Sequence, residues 1–260
     1  MENDINEFEV ILYGPELRFL IQSLGGGWIY GLDEKLTENL AGDQVGEKVL
    51  QRLIDLGIVV KADFGQLQVD DLLIGMIYSL IHAQSVVIVS EALSETQEYY
   101  YFLPDWQMSL CHAADEDQYK LTLFKDRTCV VEHLIDFVNE YHHDDEEELS
   151  FIVGEKDLEL AAQLFVNEQT ETASDVIDSP EGIKFLKDYV QLVKHWKINV
   201  VNNVHQSSSS SKRFAIFETR SEIYWVLFDT VQNDEVVMLI NRSSTSEIKQ
   251  QTANIIHSLS

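Results

Sequence analysis

Positive charge is scarce in this chain: 18 Lys and Arg stand against 45 Asp and Glu, a formal net charge of −27 over 260 residues. A nucleic-acid ligand asks for basic side chains that displace phosphate counterions, and an anionic membrane surface asks for the same. Neither is expected as a partner. Such acidity suits solubility and the fast, salt-sensitive capture of a basic protein. Proline is rare, with 3 residues, so helices and strands meet few interruptions. The two cysteines, Cys111 and Cys129, are too few for a disulfide framework. No apolar run is long enough to span a bilayer, the longest lying around Leu72–Ile81 and Ser85–Val89. The opening MENDINEFEV lacks the basic and apolar regions of a signal peptide, so the expected compartment is the cytoplasm.

Chemical motifs are missing too. Gly25-Gly26-Gly27 is followed by Trp28-Ile29-Tyr30 rather than the Lys-Ser/Thr of a phosphate loop or the spaced glycines of a dinucleotide turn. No G-x-S-x-G elbow is present, and the serine run Ser207–Ser211 has no strand–turn–helix context. His142-His143-Asp144-Asp145 has metal-binding residue types, but adjacent side chains point apart and a solvated turn explains them better. Cys111-His112 and Cys129 with His133 would make a zinc site only if a helix crossed the strand, and the paired spacings of structural zinc are absent. No catalytic, metal-binding or cofactor-binding residue is nominated, no cofactor is expected, and the chain reads as a non-enzyme.

Periodicity supplies the elements. Gly14–Leu24 reads as a helix with Leu17, Leu20, Ile21 and Leu24 on one face, and Asp43–Leu56 as a second helix stopped by Gly57. Short strands at Ile58–Ala62 and Gln66–Val69 around Phe64-Gly65 give a winged-hairpin-like unit. Asp70 caps a third helix, and four strands follow at Ser85–Leu93, Gln97–Leu103, Trp106–Ala113 and Gln118–Phe124, then a helix at Thr128–Tyr141. Past the acidic run His142–Glu148 come a short strand at Phe151–Val153, an amphipathic helix at Glu155–Val166 and an acidic linker at Asn167–Ser179. A helix over Pro180–Trp196 precedes strands Ile198–His205, Arg213–Thr219, Glu222–Asp229 and Glu235–Ile240. The Ser244-x-x-Glu247 capping box opens a last helix, Thr245–Leu259.

The order repeats: residues 70–141 and 180–259 each read helix, four strands, helix. The fold class is therefore α+β. Two pseudo-symmetric halves, each helix–antiparallel meander–helix, follow an N-terminal helix and winged-hairpin-like segment. Residues 1–260 are read as a single α+β domain with halves at 1–149 and 150–260. Two meanders can join into one sheet or pack face to face. Aromatic clusters in the strands mark either core or interface, and Tyr99, Tyr101, Trp106, Tyr224 and Trp225 are the expected partner-binding residues.

The stretches ELRFLIQSLGG, GEKVLQRLIDLGIVV and VDDLLIGMIYSLIHA resemble the opening of the EspG-type chaperones of type VII secretion systems, the EsaE-like branch in particular. The resemblance implies two pseudo-symmetric α/β halves and a cytosolic, ATP-independent chaperone. Such a protein holds a helical secreted substrate through an apolar surface and delivers it to the membrane machinery. It carries over no catalytic or binding residue. The alternative from charge alone is an acidic immunity or inhibitor protein that neutralises a basic toxin, with the acidic stretch 144–181 as its contact. Either way the partner is a protein, with no stable membrane insertion. Its identity, the sheet face it meets, the oligomeric state and the role of Ser207–Ser211 are not encoded in any motif.

Overall fold

The computed structural model describes residues 7–33, 43–61, 66–91, 97–113, 117–136, 149–205, 210–220, 223–232 and 235–259. A strand, β1 (Glu7–Tyr13), leads into α1 (Gly14–Ser23), α2 (Asp43–Asp55), the small hairpin β2 (Val59–Lys61) and β3 (Leu67–Val69), and α3 (Asp71–His82). The first meander is β4 (Ser85–Glu91), β5 (Gln97–Phe102), β6 (Gln107–His112) and β7 (Gln118–Phe124), followed by α4 (Arg127–Leu134). The second half repeats the plan. It has β8 (Ser150–Val153), then α5 (Glu155–Val166), α6 (Thr170–Val176) and α7 (Pro180–Tyr189). The strands β9 (Leu192–Asn202), β10 (Ser210–Thr219), β11 (Tyr224–Gln232) and β12 (Glu235–Ser243) follow, then α8 (Thr245–His257).

The meanders join side by side. One ten-stranded sheet runs β1-β7-β6-β5-β4-β9-β10-β11-β12-β8, every neighbouring pair antiparallel. The seam is the β4–β9 ladder, in register from Ser85 opposite Asn202 to Glu91 opposite Trp196. Outward from it the halves match strand for strand, each ending on the strand that precedes its helices. The repeat thus includes a leading edge strand, and EFEVILY forms the first one.

Local chemistry sets the boundaries. Both α1 and α2 end in a paired-carbonyl C-cap: Gly26 N–H reaches Ile21 O and Gly25 N–H reaches Gln22 O, while Ile58 and Gly57 bond Leu53 and Ile54 in the same way. The turn needs a left-handed residue, which Gly25 (φ 81°) and Gly57 (φ 72°) supply. The triple glycine is therefore a helix stop. Asp70 accepts from Leu72 and Leu73 N–H at the start of α3, and the Ser244–Glu247 capping box opens α8.

Three expectations are corrected. The helix from Pro180 ends at Tyr189, and Leu192–Trp196 is strand, paired with β10. Val190, Val193 and Trp196 fit a helical period. The alternation Trp196, Ile198, Val200 fits a strand as well, and the β10 ladder decides. The Asn167–Ser179 linker contains α6, which Ala173 and Ile177 anchor in the core. The helix expected to reach Tyr141 ends at Leu134, with Ile135 its C-cap and Asp136 in a turn. Phe64-Gly65, residues 137–141, the run His142–Glu148 and Gln206–Ser209 of the serine segment lie outside the described residues.

Three cores result. On one face of the sheet, α1–α3 pack over the first half around Leu17, Met76 and Tyr101, and α5–α7 over the second around Phe185 and Trp225. On the opposite face, α4 and α8 share a core across the seam, with Val87, Ile198, Val200 and Ile256. Arg127 of α4 donates to the terminal carbonyls of α8, Ile256 O at 3.3 Å and His257 O at 3.1 Å.

Candidate functional site

Among the described residues, the face bearing α1–α3 and α5–α7 has a gap along the seam. Strand alternation and register put Val86, Ile88 and Ser90 of β4 on this face, with Val201, Asn199, Lys197 and His195 of β9 and Arg213 of β10. Ile88, Asn199 and Val201 are half-buried and Lys197 and Arg213 exposed, although they sit mid-sheet where burial is the rule.

A cavity of about 220 Å³ opens from this strip beneath α5. Leu158, Ala215, Phe217, Leu227 and Met238 give it apolar walls, and His195, Lys197, Arg213 and Asp229 form much of its rim. Arg213 is pinned at the mouth, Nε 3.0 Å from Asp229 Oδ2 and Nη1 3.2 Å from Glu155 Oε1, so it ties α5 to two strands. Beyond Asp229 the same face runs out to the cross-strand pair Val231 and Val236, 68% and 64% exposed. Toward the other half, Trp28 and Tyr30 meet edge to face at 4.6 Å above Val86 and Tyr101, and Trp28 is exposed.

His195 lies against Phe217, centroids 4.3 Å apart. Burial, aided by the charge of Lys197, pushes its pKa down to about 4, so the imidazole is neutral at pH 7. The folded state binds a proton less readily than the unfolded chain. Stability is therefore intact above the ordinary histidine pKa of about 6.5 and falls as pH drops from there toward 4. The His195→Asn variant should lose less stability than the parent between neutral and mildly acidic pH. Urea titrations across that range check this, and equal losses would count against it.

The aromatic residues singled out in the sequence divide. Tyr101, Tyr224 and Trp225 are buried: Tyr101 donates to the Tyr30 carbonyl, Tyr224 lies in the α4–α8 core and Trp225 in the α7 core. In this conformation they hold the platform and present nothing to a partner, because a strand with helices on both faces buries both sets of its side chains. Tyr99 and Trp106 are half-buried. Tyr99 packs under Gly31, and the Trp106 ring packs on Gly75, where an added Cβ would lie 2.4 Å from it. Sequence reasoning missed Lys197, Arg213, His195 and Leu158. Of these, only His195 lies in the stretch wrongly read as helix; the alternation of Asn199 with Ile198 and Val200 falls in a strand already expected there, and the bare side of that strand depends on where the helices lie.

Of the zinc-type residues, Cys111 and His133 border Glu98 on the α4 face, whereas His112 is on the other face against Tyr119. Among the described residues no group of three or more His, Cys, Asp or Glu is placed to hold a metal ion, and no helix is long and apolar enough to cross a membrane.

No family model and no curated protein sequence matches the chain. Among solved structures, it is similar to the Mycobacterium tuberculosis type VII secretion system chaperone EspG5, determined in complex with the PE25–PPE41 dimer. The TM-score is 0.64, over 97% of this chain and 97% of that one, at 10% sequence identity. The likeness is one of fold: the architecture is α+β and EspG-like, as the N-terminal helices and the doubled meander imply.

Proposed function

We propose that this chain is a chaperone for a type VII-like secretion system and holds a helical segment of its client in the seam between the two helical layers. The observation that carries the reading is the uncovered strip itself. Neighbouring strands lie about 4.8 Å apart, so β4 to β10 spans about 10 Å, close to the diameter of an α-helix with its side chains. A helix laid there covers Ile88 and Val201 and sends an apolar side chain into the cavity under Leu158. Arg213 is already held by two carboxylates, so a client need not desolvate it unpaired. The net charge of −27 accelerates capture of clients with basic flanks and keeps the complex dissolved. The similar fold of EspG5, bound to PE25–PPE41, supports the same reading.

Co-expression with small helical secreted proteins encoded beside this chain tests it. A 1:1 complex is expected on size exclusion. Leu158→Asp, at a half-buried helix position, should weaken it about tenfold or more, since an unpaired carboxylate would sit at the cavity mouth. Failure to form a complex with any candidate, or one indifferent to Leu158→Asp, would remove the seam from consideration. A complex that dissolves steeply with salt would favour the acidic-inhibitor alternative, because the screening length shrinks to about 3 Å at about 1 M salt.

A further inference from the structure

The sheet has two outer edges, and they differ. Strand β8 pairs over only four residues, Ser150–Val153, whereas β1 presents seven, Glu7–Tyr13, along the whole of β7. Gly14 N–H donates to Asp117 O at 2.8 Å, and Ala113 N–H to Gln118 O at 2.8 Å. In an antiparallel ladder the bonded pairs alternate. Leu12, Val10 and Phe8 therefore turn their backbone groups to β7, and Glu7, Glu9 and Ile11 turn theirs outward. The outward N–H of Tyr13 is taken by Glu16 Oε2 at 2.9 Å. Among the described residues, no strand pairs with the other three.

Exposed edges are normally blunted by charged side chains, lysine above all, by proline or by a bulge; EFEVILY has no lysine, proline or bulge, and its only charges are Glu7 and Glu9. It remains open to solvent and apolar in part: Ile11 is 55% and Phe8 40% exposed. Its charge is of one sign. Glu7 and Glu9 lie on the same face as Ile11, and their contacts with His133 at 3.6 Å and Lys120 at 3.0 Å each use a single carboxylate oxygen.

We infer that the outer edge of β1 docks an extended segment of a protein partner, with Lys or Arg at alternate positions and apolar residues between, which adds to the sheet as an eleventh strand. Opposite Glu7 and Glu9 the basic side chains meet carboxylates on one face. On the other, apolar ones meet Phe8 and Val10. Main-chain bonds to Glu7, Glu9 and Ile11 supply affinity, and the alternating face supplies selectivity. A second copy of this chain is the poorer occupant, because self-pairing brings two Glu-bearing strands and two charges of −27 together. This edge is separate from the seam.

The probe is a synthetic peptide of about eight residues, an edge-strand length, alternating lysine and valine. Its control has the same sequence with the amides of one edge N-methylated, which keeps the charge and removes the ladder. The parent peptide should slow hydrogen exchange at Glu7, Glu9 and Ile11 and bind about tenfold or more tightly than the control, a difference of about 1.4 kcal/mol. Ile11→Pro should fold, since the N–H it removes faces solvent, and should abolish the difference. Equal binding of both peptides would reduce the interaction to charge alone and overturn the assignment. So would slowed exchange confined elsewhere, or a protein that dimerises through β1 without responding to peptide.

Discussion

Trp225→Ala is expected to destabilise the protein by about 3–5 kcal/mol, the range for deleting a fully buried indole. Trp225 is 0% exposed, meets Phe185 of α7 edge to face at 5.2 Å, and donates Nε1–H to Asp188 Oδ2 at 3.0 Å. One side chain thus fills the space between β11 and α7 and orients that helix through a charge-assisted bond. Alanine leaves a cavity lined by Phe185 and Phe217 and strands the Asp188 carboxylate. For a chain of 260 residues the midpoint of thermal unfolding should fall by about 5–9 °C. Trp225→Phe keeps most of the volume and loses the hydrogen bond, so a smaller loss of about 1–2 kcal/mol is expected. A Trp225→Ala protein within about 1 kcal/mol of the parent in urea titration would mean that α7 is held by something else.

The second large effect is at Glu16. Its carboxylate is 2% exposed, accepts the Tyr13 N–H at 2.9 Å and pairs with Arg52 Nε at 2.8 Å. The Arg52 guanidinium in turn lies 3.9 Å from the centroid of the Tyr13 ring. One acid therefore closes the start of α1, joins α1 to α2 and fixes the end of β1. Losing the cap costs about 1 kcal/mol and the charged hydrogen bond about 1.5–3, so Glu16→Ala should cost about 3 kcal/mol in total. Arg52 is half exposed and turns to water when the acid is gone, which keeps the loss below that of a fully buried pair. Arg52→Ala should cost less, and a double-mutant cycle between the two should show coupling of about 1 kcal/mol or more. Additive losses would mean that the cap alone matters.

Much of the architecture was legible because its elements carry strong local signals. The Asp70 cap, the glycine stops at Gly25 and Gly57 and the Ser244–Glu247 box each mark a boundary by hydrogen-bond chemistry that a reader of residues can apply. Pairing was harder to see. EFEVILY is too short and acidic to declare itself a strand without β7 beside it, and Leu192–Trp196 satisfies two periods at once. The site was the least legible part. Aromatic strand residues mark cores as readily as interfaces, and Tyr101, Tyr224 and Trp225 lie in the cores. The strip is defined by what the helices leave bare, and that depends on how α3 and α5 sit over the sheet, which no run of residues states.

The seam joins two halves of matching strand order, yet the layers bordering it are built from unlike parts. Trp28, Tyr30 and Tyr99 line one flank, and Glu155, Leu158 and Arg213 the other. A rod lying between two identical banks could be turned end for end at no cost. Here one bank is aromatic and the other aliphatic and ionic, so reversal exchanges every contact. Near-symmetry in the floor with dissimilar banks gives the seam a heading, so on the proposed binding mode a client helix would lie in one direction.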